Sequence, residues 1–389
     1  MIDKNKMPLA VGIAFVAFTT QFGGGFASGN QLIQYFVDYG VWSLVLPLLA
    51  QGLLAFFFWY GLRYAYANKT YDYRSFSDSF YGKFGIIFSN LFEIVYLILI
   101  GTATSAAFAT GGATLERLVG IPYWVCTVIV GVFIFIVAMY GTDIVRKCAS
   151  TLSVLIIIGL LVVLVPNIIA QWDIITANIV SMAGGKMPVS STQTGALAPA
   201  VGKAVLYFLF QLASVGLMYQ HVKPCTSEKQ VDRAAIYMFI VNTVTMILVV
   251  VGMCAIVYLP DLINNETSKL IDVPMILFVE EGVGASVLKP VISILIILGS
   301  VSTGVNMIAG IVTRCVNQVC RKENEGSSKR KVWSIIFAVI FTLFALAVAQ
   351  TGLGTIVKNG YKWLGWSACV VVAIPYIIHM ITHIGKKSF

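Results

Sequence analysis

Residues 19–31 read TTQFGGGFASGNQ and break an apolar run, with AVGIAFVAF before them and LIQYFV after. Each Gly in a helix interior costs roughly 1 kcal/mol relative to Ala, so three in succession favour unwinding. Within a bilayer, unwound backbone is tolerated only where it lines a cavity or is buried in protein. The same residues also offer Gly25 and Gly29 as a GxxxG pair for close helix packing. The stretch therefore predicts either a broken helix or a tight helix contact at mid-depth.

The surroundings are those of an integral membrane protein. Of 389 residues, 58% are hydrophobic and 11% charged, and the mean hydropathy is +0.88. A soluble domain carries about 25% charged residues. At about 20 apolar residues per crossing, ten helices are expected near 7–37, 40–66, 84–118, 121–140, 144–170, 198–223, 233–260, 286–320, 331–350 and 352–384. Pro47, Pro166 and Pro375 predict kinks. The chain reads as a single transmembrane domain, 1–389, with a first five-helix half at 7–170 and a second at 198–384. No cleavable leader is expected behind Lys4 and Lys6.

Charge orients this bundle. Seven basic residues, Arg117, Lys186, Lys203, Lys269, Lys289, Lys358 and Lys362, fall on one side, leaving 19 of 26 on the other. By the positive-inside rule the richer side is cytoplasmic, and both termini with it. The net charge of +9 is thus a matter of topology rather than of nucleic-acid affinity. Two external connections are long. Residues 171–197, with GGKMPVSSTQTG, read as an irregular loop. Residues 261–285, with IDVPMILFVEEGV, predict a short amphipathic helix from Pro274 over the outer face, serving as a lid or as a solvated link.

A second interruption lies five helices after the first. In VLYFLFQLASVGLMYQHVKP, Gln211, Ser214 and Gly216 place polar and flexible residues at mid-depth. Interrupted helices at matching positions of two halves point to an inverted repeat with a binding site between them, as in secondary transporters. The eighth helix adds LGSVSTGVNMIAG, in which the adjacent hydroxyls Ser302 and Thr303 follow Gly299. Those hydroxyls, with carbonyls freed by an unwound helix, suit Na+; the plainer alternative is a bond back to the i−4 carbonyl.

Together these three elements resemble the LeuT fold of the amino acid–polyamine–cation (APC) superfamily, over essentially the whole chain in helix count and break positions. Within it, QFGGGFASGNQLIQYF is similar to the YkvI-type membrane proteins, grouped as amino acid permeases. The resemblance implies an all-α, ten-helix 5+5 inverted repeat with broken first and sixth helices. It implies a Na+ site from the carbonyls of Thr19 and Phe22 together with Gly299, Ser302 and Thr303. Some proton-driven relatives place a fifth-helix Lys there, whereas the nearest one here, Lys147, sits at the helix end. A substrate would lie beside Gly23, Gly24, Gly25 and Phe26 and face Phe210, Gln211 and Ser214, with Thr102, Ser105 and Asn306 at similar depth. Amides around Phe26 to Gly29 would suit a carboxylate. This chain lacks the Asn after the glycines and the Tyr near Thr102 of the sodium-coupled neurotransmitter branch.

The expected function is thus Na+-coupled symport of a small amino acid or related organic solute, with no organic cofactor. A proton-coupled transporter using Glu93 is the alternative, as is a channel or sensor on the same fold. Catalysis is not expected: there is no HExxH, no pair of intramembrane aspartates and no Ser/His arrangement. The seven cysteines lack metal spacing. His379 and His383, at i, i+4, have no third ligand nearby in sequence, and Glu116 with Arg117 reads as a solvated pair.

Overall fold

The computed structural model describes residues 8–21, 23–140, 142–320 and 327–383, with side chains of 142–153 excepted. The first apolar run becomes three pieces, α1 (Leu9–Gln21), α2 (Gly24–Ala27) and α3 (Asn30–Tyr35). Four helices follow, α4 (Leu46–Ala67), α5 (Tyr73–Phe80), α6 (Gly85–Val119) and α7 (Tyr123–Tyr140). α8 (Thr142–Ala170) carries Pro166 and turns into α9 (Trp172–Ala183). The second half comprises α10 (Leu197–Leu212), α11 (Val215–Met218), α12 (Glu228–Met253), α13 (Pro274–Glu280), α14 (Ala285–Val319), α15 (Ser328–Ala349) and α16 (Leu353–Thr382).

Among the described residues, seven helices are long and apolar enough to cross a bilayer, or nine when two bent pairs each count once. Those pairs are 154–170 with α9, bent by 76°, and α10 with Val215–Val222, bent by 42°. α1 is a shorter apolar helix, and counting ten spans requires joining it to α2 and α3. Large apolar side chains such as Ile86, Trp124, Ile169 and Leu343 are exposed on the bundle's outside, where lipid rather than water is the solvent. The interior holds fully buried rings, among them Tyr35, Tyr207, Tyr219 and Tyr376.

Ion pairs tie the helix ends on one face. Arg63 of α4 reaches Asp232 of α12 at 2.8 Å and also Glu228, while Trp59 donates to Asp232 at 2.7 Å. Arg314 of α14 pairs with Glu93 of α6 at 2.5 Å. We call this the basic face. On the opposite face Trp42 donates to the Gly195 carbonyl at 2.8 Å and Asn30 to that of Ile271 at 2.9 Å.

Three local readings change. Residues 172–183 are not loop: WDIITANIVSMA has the helical spacing of Ile175, Ile179 and Met182 to form α9, and the irregular part begins at Gly184. α13 starts at Pro274 as expected, yet Pro274 through Val279 are all buried, so it is neither amphipathic nor a solvated link. Its Met275 amide donates to the Ser28 carbonyl at 2.8 Å, which docks it onto the first interruption. Finally, a two-stranded antiparallel ribbon pairs Ile263 with Leu270 and Asn264 with Lys269 in an otherwise helical chain.

Candidate functional site at the two helix breaks

The first break is built by glycines with separate tasks. Gly23 is half-buried and extended (φ −80°, ψ 178°), which ends the helical ladder after Gln21. A Cβ on Gly24 would stand 2.7 Å from the Ala106 carbonyl oxygen and 2.4 Å from Thr110 Oγ1, so α2 lies directly on α6. A Cβ on Gly25 would meet Gln31 Oε1 at 2.9 Å and Val357 of α16 at 3.3 Å. Gly29 adopts φ +82°, the left-handed region that other residues avoid. Ser28 closes the turn: its hydroxyl donates to the Gly25 carbonyl at 3.1 Å and accepts from the Asn30 amide at 3.2 Å. Phe26 is buried in α2, and Phe22 lies outside the described residues.

The second break is gentler. Ala213 and Ser214 stay near helical dihedrals, but the Ser214 amide bonds back to the Gln211 carbonyl at 3.1 Å instead of one residue earlier. The Ser214 hydroxyl donates to the same carbonyl at 2.7 Å, so this carbonyl is used twice. Gln211 is buried, with its Nε2 donating to Tyr207 at 3.3 Å. Phe210 stacks on Tyr361 of α16 (4.7 Å, 13°) and meets Tyr35 edge-on at 5.2 Å.

α16 supplies an irregularity the sequence did not announce. It contains π-helical turns at Ile356–Gly360 and Cys369–Ala373. The first lies between the breaks, with Val357 beside Gly25, the Val357 carbonyl accepting from Tyr35 at 3.4 Å, and Tyr361 under Phe210. Such turns recur at functional sites; here the only local signal was KNG.

The remaining site residues fall into two groups. Thr102 and Ser105 donate back to their own helix, to Ile98 at 2.7 Å and Gly101 at 2.8 Å, and Thr102 packs against Gly360 rather than against the glycines of α2. Thr19 likewise bonds back, to Phe15 and Val16 at 3.1 Å. Ser302 and Thr303 differ. Both are half-buried beside buried Gly299, and neither hydroxyl has a hydrogen-bond partner among the described residues. α14 packs against both α1 and α2. Residues passed over by the sequence reading also gather near the break: Thr110 Oγ1, Gln21 Nε2 and Gln31 Nε2 are buried without hydrogen-bond partners among the described residues. Polar side chains inside an apolar run were their only mark.

Access is unequal. From the basic face a cavity of about 390 Å³ reaches Gly216 and Asn306, lined also by Tyr73, Tyr96 and Arg314. Asn306 is exposed into it. Glu93 at its edge is engaged by Arg314 and by the Tyr73 hydroxyl, and the guanidinium lies over Tyr73 (4.4 Å) and Tyr96 (3.9 Å). Toward the opposite face, the layer of Tyr35, Tyr207, Phe210 and Tyr361 and the buried α13 stand over the breaks. A cavity of about 720 Å³ on that side is lined by Glu116, Tyr123, Asp272, Glu280 and Gln350, not by the break residues. There Arg117 pairs with Glu280, which Lys289 also holds at 2.7 Å, so the expected Glu116–Arg117 pair is replaced by one across helices. Burial raises the Asp272 carboxyl against the pull of the Gly354 and Leu353 amides. His379 and His383 stack at 3.9 Å, and no metal-type cluster of three ligands occurs among the described residues.

No family model matches this sequence, and no curated protein matches it significantly. Solved structures do. A Na+-coupled sialic acid symporter superposes with a TM-score of 0.62 at 11% identity, over 96% of this chain and 90% of that one. Mhp1, a nucleobase-cation-symport-1 family transporter, gives 0.56 at 15% identity, over 97% and 78%. A manganese transporter of Eremococcus coleocola gives 0.50 at 15% identity, over 98% and 88%. This is the LeuT fold. In the LeuT fold the broken spans are the first and sixth, which here are α1–α3 and α10–α11. At these identities the likeness is one of architecture.

Proposed function

We propose that this chain is a secondary active transporter that moves a small amino acid or related organic solute by Na+-coupled alternating access. The observation that carries the reading is the asymmetry around the breaks: a cavity opens from one face to Gly216 and Asn306, while aromatic rings and α13 cover the other side. A transporter needs a site reachable from one side at a time, and helix breaks supply polar backbone there without a charged side chain. In this reading the basic face and both termini are cytoplasmic, and the halves 7–170 and 198–384 rock against each other. The solute sits among Gly23, Gly24, Gly25, Phe26, Phe210, Gln211 and Ser214, with Ser105 and Asn306 at its margin. The YkvI-type resemblance within the APC superfamily agrees with an amino acid.

Na+ is the coupling ion of this reading. Ser302 and Thr303 fit it because their hydroxyls find no partner among the described residues, whereas Thr102, Ser105 and Thr313 all bond back to their own helices. The carbonyls of Thr19, Phe22 and Gly299 would complete an oxygen set. Coupling through Glu93 is the weaker reading, since Arg314 and Tyr73 already engage that carboxylate.

The test is thermal stability of the purified protein against amino acids, amines and organic acids, in Na+ and in K+, followed by uptake into proteoliposomes. A solute that stabilises only in Na+ and accumulates down a Na+ gradient is the expected result. Thr303→Ala should weaken the Na+ dependence by about ten-fold, the loss of one charge-assisted ligand. Unchanged Na+ dependence in that variant removes the assigned ion site, and uptake that follows pH alone moves the coupling to protons.

A further inference from the structure

One cation in the bundle stands apart. Among the half-buried basic side chains described, Arg63 holds Asp232, Lys289 holds Glu280, Arg314 holds Glu93, and Arg330 donates to Asn317 and to the Cys320 carbonyl. Lys203 has no carboxylate or hydrogen-bond acceptor within bonding distance among the described residues. Its ammonium rests 4.3 Å from the centre of the Tyr35 ring. A ring face attracts a cation but does not take its protons as an anion does. A partly desolvated charge in this position is completed by an anion.

Its place in the fold says which anion. Lys203, Tyr207, Phe210 and Gln211 follow one another at i, i+4, i+7 and i+8, which is one stripe of α10, and Ser214 continues that spacing just past its end. Lys203 stands at the opposite-face end of that stripe, Tyr207 and Phe210 form part of the aromatic layer, and Gln211 and Ser214 lie at the break. The charges that act on Lys203 are Asp38, which attracts, and Lys358 and Lys362, which repel. Asp38 is engaged elsewhere: its Oδ1 accepts from Ser190 at 2.5 Å, and burial pushes its carboxyl up to about 6. Lys203 thus has two further ammonium groups and one carboxylate, already bonded to Ser190, in its field.

We propose that Lys203 is an outer anion subsite that receives the carboxylate of an organic solute before the aromatic layer parts. The inference deepens the transport reading, on which the word solute rests, by making the cargo carboxylate-bearing. Lys358 and Lys362 raise the local anion concentration, and Lys203 makes the contact. Release inward passes Tyr207 and Phe210 to Gln211 and Ser214, where hydrogen-bonding groups replace the ammonium.

The experiment titrates the purified full chain with sodium benzoate and, as its uncharged match, benzamide, at constant Na+ and ionic strength, reading thermal stability. Benzoate should stabilise the protein and benzamide should not. Lys203→Met keeps an apolar stem over Tyr35 and should weaken the benzoate effect by at least about ten-fold. Lys203→Arg should retain most of it. Lys203→Gln serves as a second neutral variant should Lys203→Met melt early without ligand. Equal benzoate effects in wild type and both neutral variants, equal effects of benzoate and benzamide, or no benzoate effect at all would each overturn the subsite. Benzoate protection that depends on Lys203 without any Na+-driven uptake would remove the transport reading and leave the subsite standing.

Discussion

The two broken spans reach similar ends by different chemistry. At the first, glycines remove side chains where backbone must come close: Gly24 abuts the Ala106 carbonyl, and Gly29 turns through φ +82° under Met253 and Met275. At the second, no glycine occupies the break itself. Ser214 bends the helix by giving its hydroxyl to the Gln211 carbonyl, and Ala213 and Ser214 both keep near-helical dihedrals. A break made by missing side chains depends on its neighbours' shape. A break made by one hydroxyl depends on a local hydrogen bond, and so is the easier to restore.

That contrast sets the size of three substitutions. Gly24→Ala should have the largest effect, destabilising by about 1–3 kcal/mol as an overpacked contact, because a backbone oxygen cannot rotate away. Denaturation of the purified variant measures it, and a neutral result would mean that α2 can leave α6 freely. Gly29→Ala comes next, at roughly 1–2 kcal/mol for a left-handed residue with a side chain, with Met253 Sδ 3.0 Å from the new Cβ as a further obstacle. Since α13 docks on this turn, limited proteolysis after 261–273 should accelerate in the variant. Ser214→Ala should be mildest, about 0.5–1.5 kcal/mol for one hydrogen bond, with Ser214→Thr restoring it. A cost for Ser214→Ala equal to that of Gly24→Ala would erase the distinction between the breaks.

The same contrast explains what could be read in advance. Both interruptions were visible because a run of glycines and a polar cluster within apolar sequence are local violations of helix preference. The π turn at Ile356–Gly360 was not visible, since its residues are ordinary and the turn is set by packing against Gly25, Thr102 and Phe210. Ser302 and Thr303 were legible as a hydroxyl pair, but only the structure separates them from Thr102 and Ser105 by leaving their hydroxyls without partners among the described residues.

By itself the sequence determined the membrane class, the approximate spans and the places where two of them fail. Apolar length, glycine cost and hydroxyl clustering act over a few residues, and a bilayer enforces them without help from distant chain. Tertiary structure alone decided the charges and the covers. Arg117 meets Glu280 across 163 residues and Glu93 meets Arg314 across 221, whereas Lys203, among the described residues, lies against the Tyr35 ring without a bonded carboxylate. α13, which the sequence left as either a lid or a solvated link, is buried on the first break. Partners so far apart are chosen by how helices pack, because Coulomb attraction and burial depend on distance in space and not on distance along the chain.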